Sequence, residues 1–182
     1  TQVAQTDVKE FDATLRRAFR QLQHLTKDVF TALQTQDHTL LQAQRRAEQQ
    51  NNKLTNFCER LLNKNLLNKH KGHFWYVIAW NLEKCADSMK YIAQHYTSSL
   101  PSVDEQIATA LQAYVDGTAT LLYDFSYEAL EQLNTQKKEL EQQLLLLMEK
   151  ADSSSQVLYH YLHTYVLQLA DFSASIIAVS DD

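Results

Sequence analysis

Glu83 and Asp87 stand four residues apart in the run Asn81-Leu82-Glu83-Lys84-Cys85-Ala86-Asp87. On a helix that spacing sets the two carboxylates one turn above each other, which suits joint coordination of a hard or borderline cation by oxygen. Glu48 and Asn52 repeat the same spacing, and a short three-helix bundle that laid the two segments side by side would make a four-ligand oxygen site. The competing reading is that all four are solvated surface groups, and composition by itself favours it. Tyr76 and Trp80 lie on the stripe of Glu83 and Asp87. An outward face with two large aromatics reads as one that a partner covers.

Histidine offers a second kind of metal chemistry. His70 with His73, and His160 with His163, are i,i+3 pairs, a spacing that lets both imidazoles of a pair reach one ion. No His-Glu-x-x-His motif accompanies them. Asp171 shares a stripe with His160 but lies about 16 Å farther along the axis, so the two cannot bind one ion. Exposed or partly packed histidines are the favoured reading. The sequence has no glycine-rich phosphate loop and no Gly-x-Ser-x-Gly elbow, and neither cysteine falls in a motif with a base. A non-enzymatic role is expected.

The elements that must position these residues are long helices. Of 182 residues, 45% are hydrophobic and 21% charged, with one proline and two glycines, which is too little punctuation for a turn-rich β architecture. A chain of this length fits one domain, or two small ones sharing a core, and buries roughly 70% of its unfolded surface. The 22 acidic against 17 basic residues give a net charge of -5, so nucleic acid is not an expected partner. Arg16, Arg17 and Arg20, or Lys69 and Lys71, read as ordinary solvated helix surface.

Cys58 and Cys85 fall inside helical patterns, as expected of buried thiols in a reducing, cytoplasmic compartment. The aliphatic run over residues 144–148 is far short of the roughly 20 needed to cross a bilayer, and no signal-peptide h-region is present. A soluble chain is expected. It opens at Thr1 directly in helical sequence, as a domain cut from a larger protein, including a membrane protein, would.

Six helices follow from the periodicity. Phe11, Leu15, Ala18, Leu22, Leu25, Val29 and Ala32 form the seam of the first. Asp37 caps the second, in which Leu40, Ala47, Leu54 and Leu61 repeat every seven residues. After an Asn- and Lys-rich connection over residues 63–72, the third carries Phe74, Ile78, Leu82, Cys85, Met89, Ile92 and Tyr96, and stops before Pro101. Ile107, Leu111, Tyr114, Thr118, Leu121 and Phe125 mark the fourth, loosened at Asp116-Gly117. Leu133, Leu140 and Leu147 mark the fifth. Leu158, Leu162, Tyr165, Leu169, Phe172, Ile176 and Val179 mark the sixth, capped by a serine of Asp152-Ser153-Ser154-Ser155. The segment from Leu82 to Asp87 with the later Ile92 aligns with that from Val166 to Asp171 with the later Ile176. Both matches fall in the third helix of a triplet, so a duplication into halves of about 7–99 and 101–180 is expected.

Two helical triplets with a Glu-x-x-x-Asp motif late in the third helix resemble the PhoU-like proteins. The likeness is strongest over Asn81-Leu82-Glu83-Lys84-Cys85-Ala86-Asp87 with the later Ile92-Ala93, and extends to Ala32-Leu33, Asp37, Glu48, Asn52 and Arg60-Leu61-Leu62. The resemblance implies an all-α, six-helix PhoU-like fold of two tandem three-helix bundles, a single domain over residues 1–182. It also implies a regulator of phosphate transport, either a stand-alone adaptor or the cytoplasmic domain of a sodium–phosphate cotransporter at the inner face of the membrane. The partners implied are the phosphate transporter or its membrane domain, a sensor kinase, and a second copy in a homodimer.

Family members bind iron or zinc clusters through acidic motifs. By position, Glu83 and Asp87 would be the first motif, Asp171 the surviving half of the second, and Glu48 with Asn52 supporting ligands. Leu167 stands where the second motif would have its acid, and the Pro-x-x-x-Asp-Leu-Arg pattern of stand-alone members is missing before the third helix. Both departures tilt the expectation towards the cotransporter-type domain. Two rivals remain: a structural interaction or dimerisation module without metal, and a metal-dependent enzyme on a helical bundle, which would need inward Glu-x-x-His motifs that the sequence lacks.

Overall fold

A computed structural model of the chain describes residues 2–64 and 71–180. Within them the apolar seams become helices. The seam from Phe11 to Ala32 is buried along α1 (Gln2–Thr35). Gln36 turns the chain with φ 57°, and Asp37 then caps α2 (His38–Asn63) by accepting from the Leu40 amide at 2.9 Å. Helix α3 (Gly72–His95) buries Ile78, Leu82, Cys85, Met89 and Ile92. The connection expected over residues 63–72 lies largely outside the described residues, as does His70.

The second triplet differs in detail from its expected outline. Helix α4 (Glu105–Tyr123) is not loosened at Asp116-Gly117 but runs through it, stopping before Phe125. A Cβ on Gly117 would meet Leu133 Cδ2 at 2.8 Å, so the glycine serves the close approach of α4 to α5 (Tyr127–Lys150) and not a break. In α5 the residues fully in the core are Leu133, Leu140 and Leu144, with Leu147 at the margin.

The cap of α6 (Ser153–Ala170) is Asp152, not a serine: its carboxylate accepts from the Ser155 amide at 2.8 Å. That same bond holds the Asp152 carboxyl below its usual range. The sixth helix is also interrupted, because the chain turns at Asp171 before α7 (Phe172–Ser180).

The architecture is an all-α bundle, with no strand among the described residues. Helices α1, α2 and α3 pack on one another, α5 packs on α4 and α6, and the triplets meet where α3 lies against α6 and α7 and where α1 lies against α4. Polar bonds mark the junction. Tyr96 Oη donates to Ser154 O at 2.6 Å, Ser88 Oγ to Gln168 Oε1 at 2.6 Å, and Gln23 Nε2 to Asp116 Oδ1 at 2.9 Å. Taken together, Ser153–Ser180 is long and apolar enough to cross a membrane, with a hydropathy of 1.3. Here it supplies Leu158, Leu162, Tyr165, Val166, Leu169, Phe172 and Ile176 to the core.

Candidate functional site: the polar seam between α2 and α3

Helix α2 reaches α3 through an unexpected face. The heptad residues Leu40, Ala47 and Leu54 sit at its margin, while the buried face is Leu41, Gln44, Glu48, Asn51, Thr55, Cys58 and Leu61. This stripe keeps the three- and four-residue spacing of a packing seam, but four of its members are polar. Each therefore needs a partner. Gln44 Nε2 donates to Leu40 O at 2.9 Å, Asn51 Nδ2 to Ala18 O of α1 at 2.9 Å, and Thr55 Oγ1 to Asn52 O at 3.2 Å.

Glu48 reaches across. Its Oε1 accepts from Asn52 Nδ2 at 2.6 Å and from Lys90 Nζ of α3 at 3.0 Å, and the same ammonium donates to Asp87 Oδ1 at 2.5 Å. The Glu48 side chain is only 4% exposed and that of Lys90 19%. Asn52 Oδ1 is buried with no hydrogen-bond partner among the described residues. Burial pulls the Lys90 ammonium towards its neutral form, but hydrogen bonds and charge from Asp87 and Glu48 outweigh it and raise its pKa. Lys84 Nζ lies 3.9 Å from Asp87 Oδ2 on the outer side.

The antiparallel register of the two helices divides the Glu83/Asp87 pair. Asp87 faces Glu48 and Lys90, whereas Glu83 is close enough to Glu59, about three turns beyond Glu48 along α2, to push the Glu59 pKa up. Burial is the larger cause of that rise, and Lys84 and a hydrogen bond from Tyr76 oppose it. Glu59 Oε1 is buried without a partner among the described residues. Trp80 is exposed, with Lys84 Nζ 5.3 Å from its ring.

Asp171 is in neither group. It ends α6 exposed, and its charge is felt by Cys85 and Tyr114, on the side of α3 turned about 200° from Asp87. His160 is exposed and His163 half-buried. Among the described residues, no three or more His, Cys, Asp and Glu side chains converge to hold a metal ion.

The structure thus brings Glu48, Asn52 and Asp87 together and leaves Glu83 and Asp171 apart from them. Lys90, Glu59 and the pairing role of Tyr76 were missed from sequence; the one signal for Lys90 was its i,i+3 position after Asp87.

Cys58 and Cys85 are buried and form no disulfide, and burial, with the Asp171 charge adding, pushes the Cys85 thiol well up. A cleft of about 280 Å³ lies between α1 and α4, where Arg16 stacks on the Tyr123 ring at 3.7 Å. Two hydroxyls of α4 line it: Thr120 Oγ1 donates back to Asp116 O at 3.0 Å, and Tyr123 Oη is buried without a hydrogen-bond partner among the described residues. No family model matches the sequence, and no curated protein and no solved structure is significantly similar to the chain.

Proposed function

We propose that the chain is a non-enzymatic, PhoU-like regulator of phosphate transport, acting as an adaptor or as the cytoplasmic regulatory domain of a sodium–phosphate cotransporter. The observation that carries the reading is the packing of two helical triplets through the third helix of each, α3 against α6 and α7, with α3 also presenting Val77, Trp80 and Tyr91 outward. Such a face offers rigid aromatic anchors of the kind that dominate docking energy.

The test is phosphate uptake in cells whose transporter this chain controls. Trp80→Glu should release uptake from regulation as fully as deleting the chain does, while the folded protein persists by circular dichroism. Uptake that is the same with the chain, without it and with Trp80→Glu would end the proposal.

A second reading, a helical interaction or dimerisation module, draws on α5. That outer helix leaves Leu145 and Leu146 exposed, the start of an apolar patch. Light scattering separates the two readings: under the second, Leu145→Glu/Leu146→Glu converts a dimer to monomer and leaves phosphate uptake untouched.

A further inference from the structure

We propose that the Lys90 ammonium is itself the cation of the Glu48–Asn52–Asp87 site, a tethered charge that takes the place a metal would have, so that the seam between α2 and α3 is locked without metal. The inference rests on the PhoU-like reading for its expectation of a metal, but its test reads metal and melting temperature and not phosphate uptake, so each can fail alone.

The donor set does not fit iron or zinc. A protein zinc site draws on three or four N, O or S ligands at about 2.0–2.3 Å. Here two carboxylates converge, and the third member, Asn52, turns its Nδ2 and not its carbonyl oxygen to Glu48. Glu83 and Asp171, which would complete the set, do not converge with Glu48 and Asp87 among the described residues. Lys90 meanwhile fits closely. One ammonium carries three donors, and two of them bridge Glu48 Oε1 at 3.0 Å and Asp87 Oδ1 at 2.5 Å, across two helices.

A divalent ion placed between those oxygens would stand beside the ammonium and be repelled by it, so binding requires Lys90 to leave. Lys90 is one turn from Asp87 on the same helix, and a tethered cation holds a high effective concentration that a free ion must outcompete. An ordinary i,i+3 surface pair would be worth little. This one is different because it extends to a buried carboxylate on another helix, where removing the cation strands the Glu48 charge and leaves Asp87 only the outer Lys84 at 3.9 Å.

Elemental analysis of protein purified without chelator or affinity metal, joined to thermal melts with and without added zinc or manganese, tests the assignment. The wild type is expected to carry less than about 0.1 metal per chain and to melt independently of added ion or chelator. Lys90→Met should melt roughly 5–10 °C lower and recover part of that loss with manganese, which accepts carboxylate and water oxygens, but not with zinc. Lys90→Arg, which keeps a cation, should stay near the wild type. Adding Glu48→Gln and Asp87→Asn to Lys90→Met should restore stability and abolish the response to metal. Stoichiometric iron or zinc in the wild type that Asp87→Asn removes would overturn the proposal even if Lys90→Met fails to fold, and so would a Lys90→Met protein that melts like the wild type or ignores manganese.

Discussion

Glu59 shows how a single carboxyl can work against the fold that holds it. Its pKa is raised first by burial and then by Glu83, against smaller pulls from Lys84 and Tyr76. Folding therefore favours its protonated form. Between the ordinary carboxyl range and the raised folded value the native state binds more proton than the unfolded one, so this group's contribution to stability falls as pH rises through that window and stays unfavourable above it. Glu59→Gln removes the charge and keeps an acceptor for Tyr76. The expected outcome is a higher melting temperature at pH 7 and little change at pH 4, measured by calorimetry at both values; an equal shift at the two would mean that charge is not the cause. Sequence spacing alone picks out Glu48, Asn52 and Asp87. It does not reveal Glu59 or Lys90, because which side chain closes a gap between two helices depends on their register, and register is a property of the packed pair.

At the scale of the element, hydrophobic spacing locates the helices well and their faces less well. In α2 the leucine heptad is conspicuous, yet the deepest face includes Gln44, Glu48, Asn51 and Thr55, residues a search for apolar repeats passes over. Their donors and Glu48 Oε1 find partners on α1, on α3 and on α2 itself, while Asn51 Oδ1 is left without one among the described residues. Gly117 is misread for a related reason. Glycine in a helix reads as a weak point, costing about 1 kcal/mol relative to alanine, but here its lack of a side chain admits Leu133. In Gly117→Ala the gain in helix propensity is offset by displacement of the Leu133 terminus, for a net change within about 1 kcal/mol. Gly117→Val overfills the same space and is expected to cost about 2–3 kcal/mol. Urea denaturation of the pair checks this: if the valine variant is as stable as the alanine one, the contact between α4 and α5 is not the reason for the glycine.

Across the whole molecule, two triplets are legible in the apolar periods and in the stop before Pro101, while the way they join is not. Tyr165 appears in sequence as one more member of an apolar stripe. In the structure it is fully buried, and its hydroxyl meets Thr26 Oγ1 of α1 at 2.7 Å, a bond between residues 139 apart in the chain. Thr26 Oγ1 also donates to Leu22 O at 2.9 Å, so its own hydrogen is committed and Tyr165 must be the donor between them. The two deletions are then unequal. Tyr165→Phe removes a donor and leaves Thr26 with its bond to Leu22, at an expected cost of about 0.5–1.5 kcal/mol, whereas Thr26→Val leaves the Tyr165 hydroxyl buried with no acceptor, at about 1–3 kcal/mol. Removing both takes away the orphan along with its partner, so the double variant should lose less than the sum of the singles. Urea unfolding of the four proteins measures the coupling directly. Strict additivity would show that this hydroxyl pair does not tie the first triplet to the second, and would leave their union to the apolar contacts of α3 with α6 and α7.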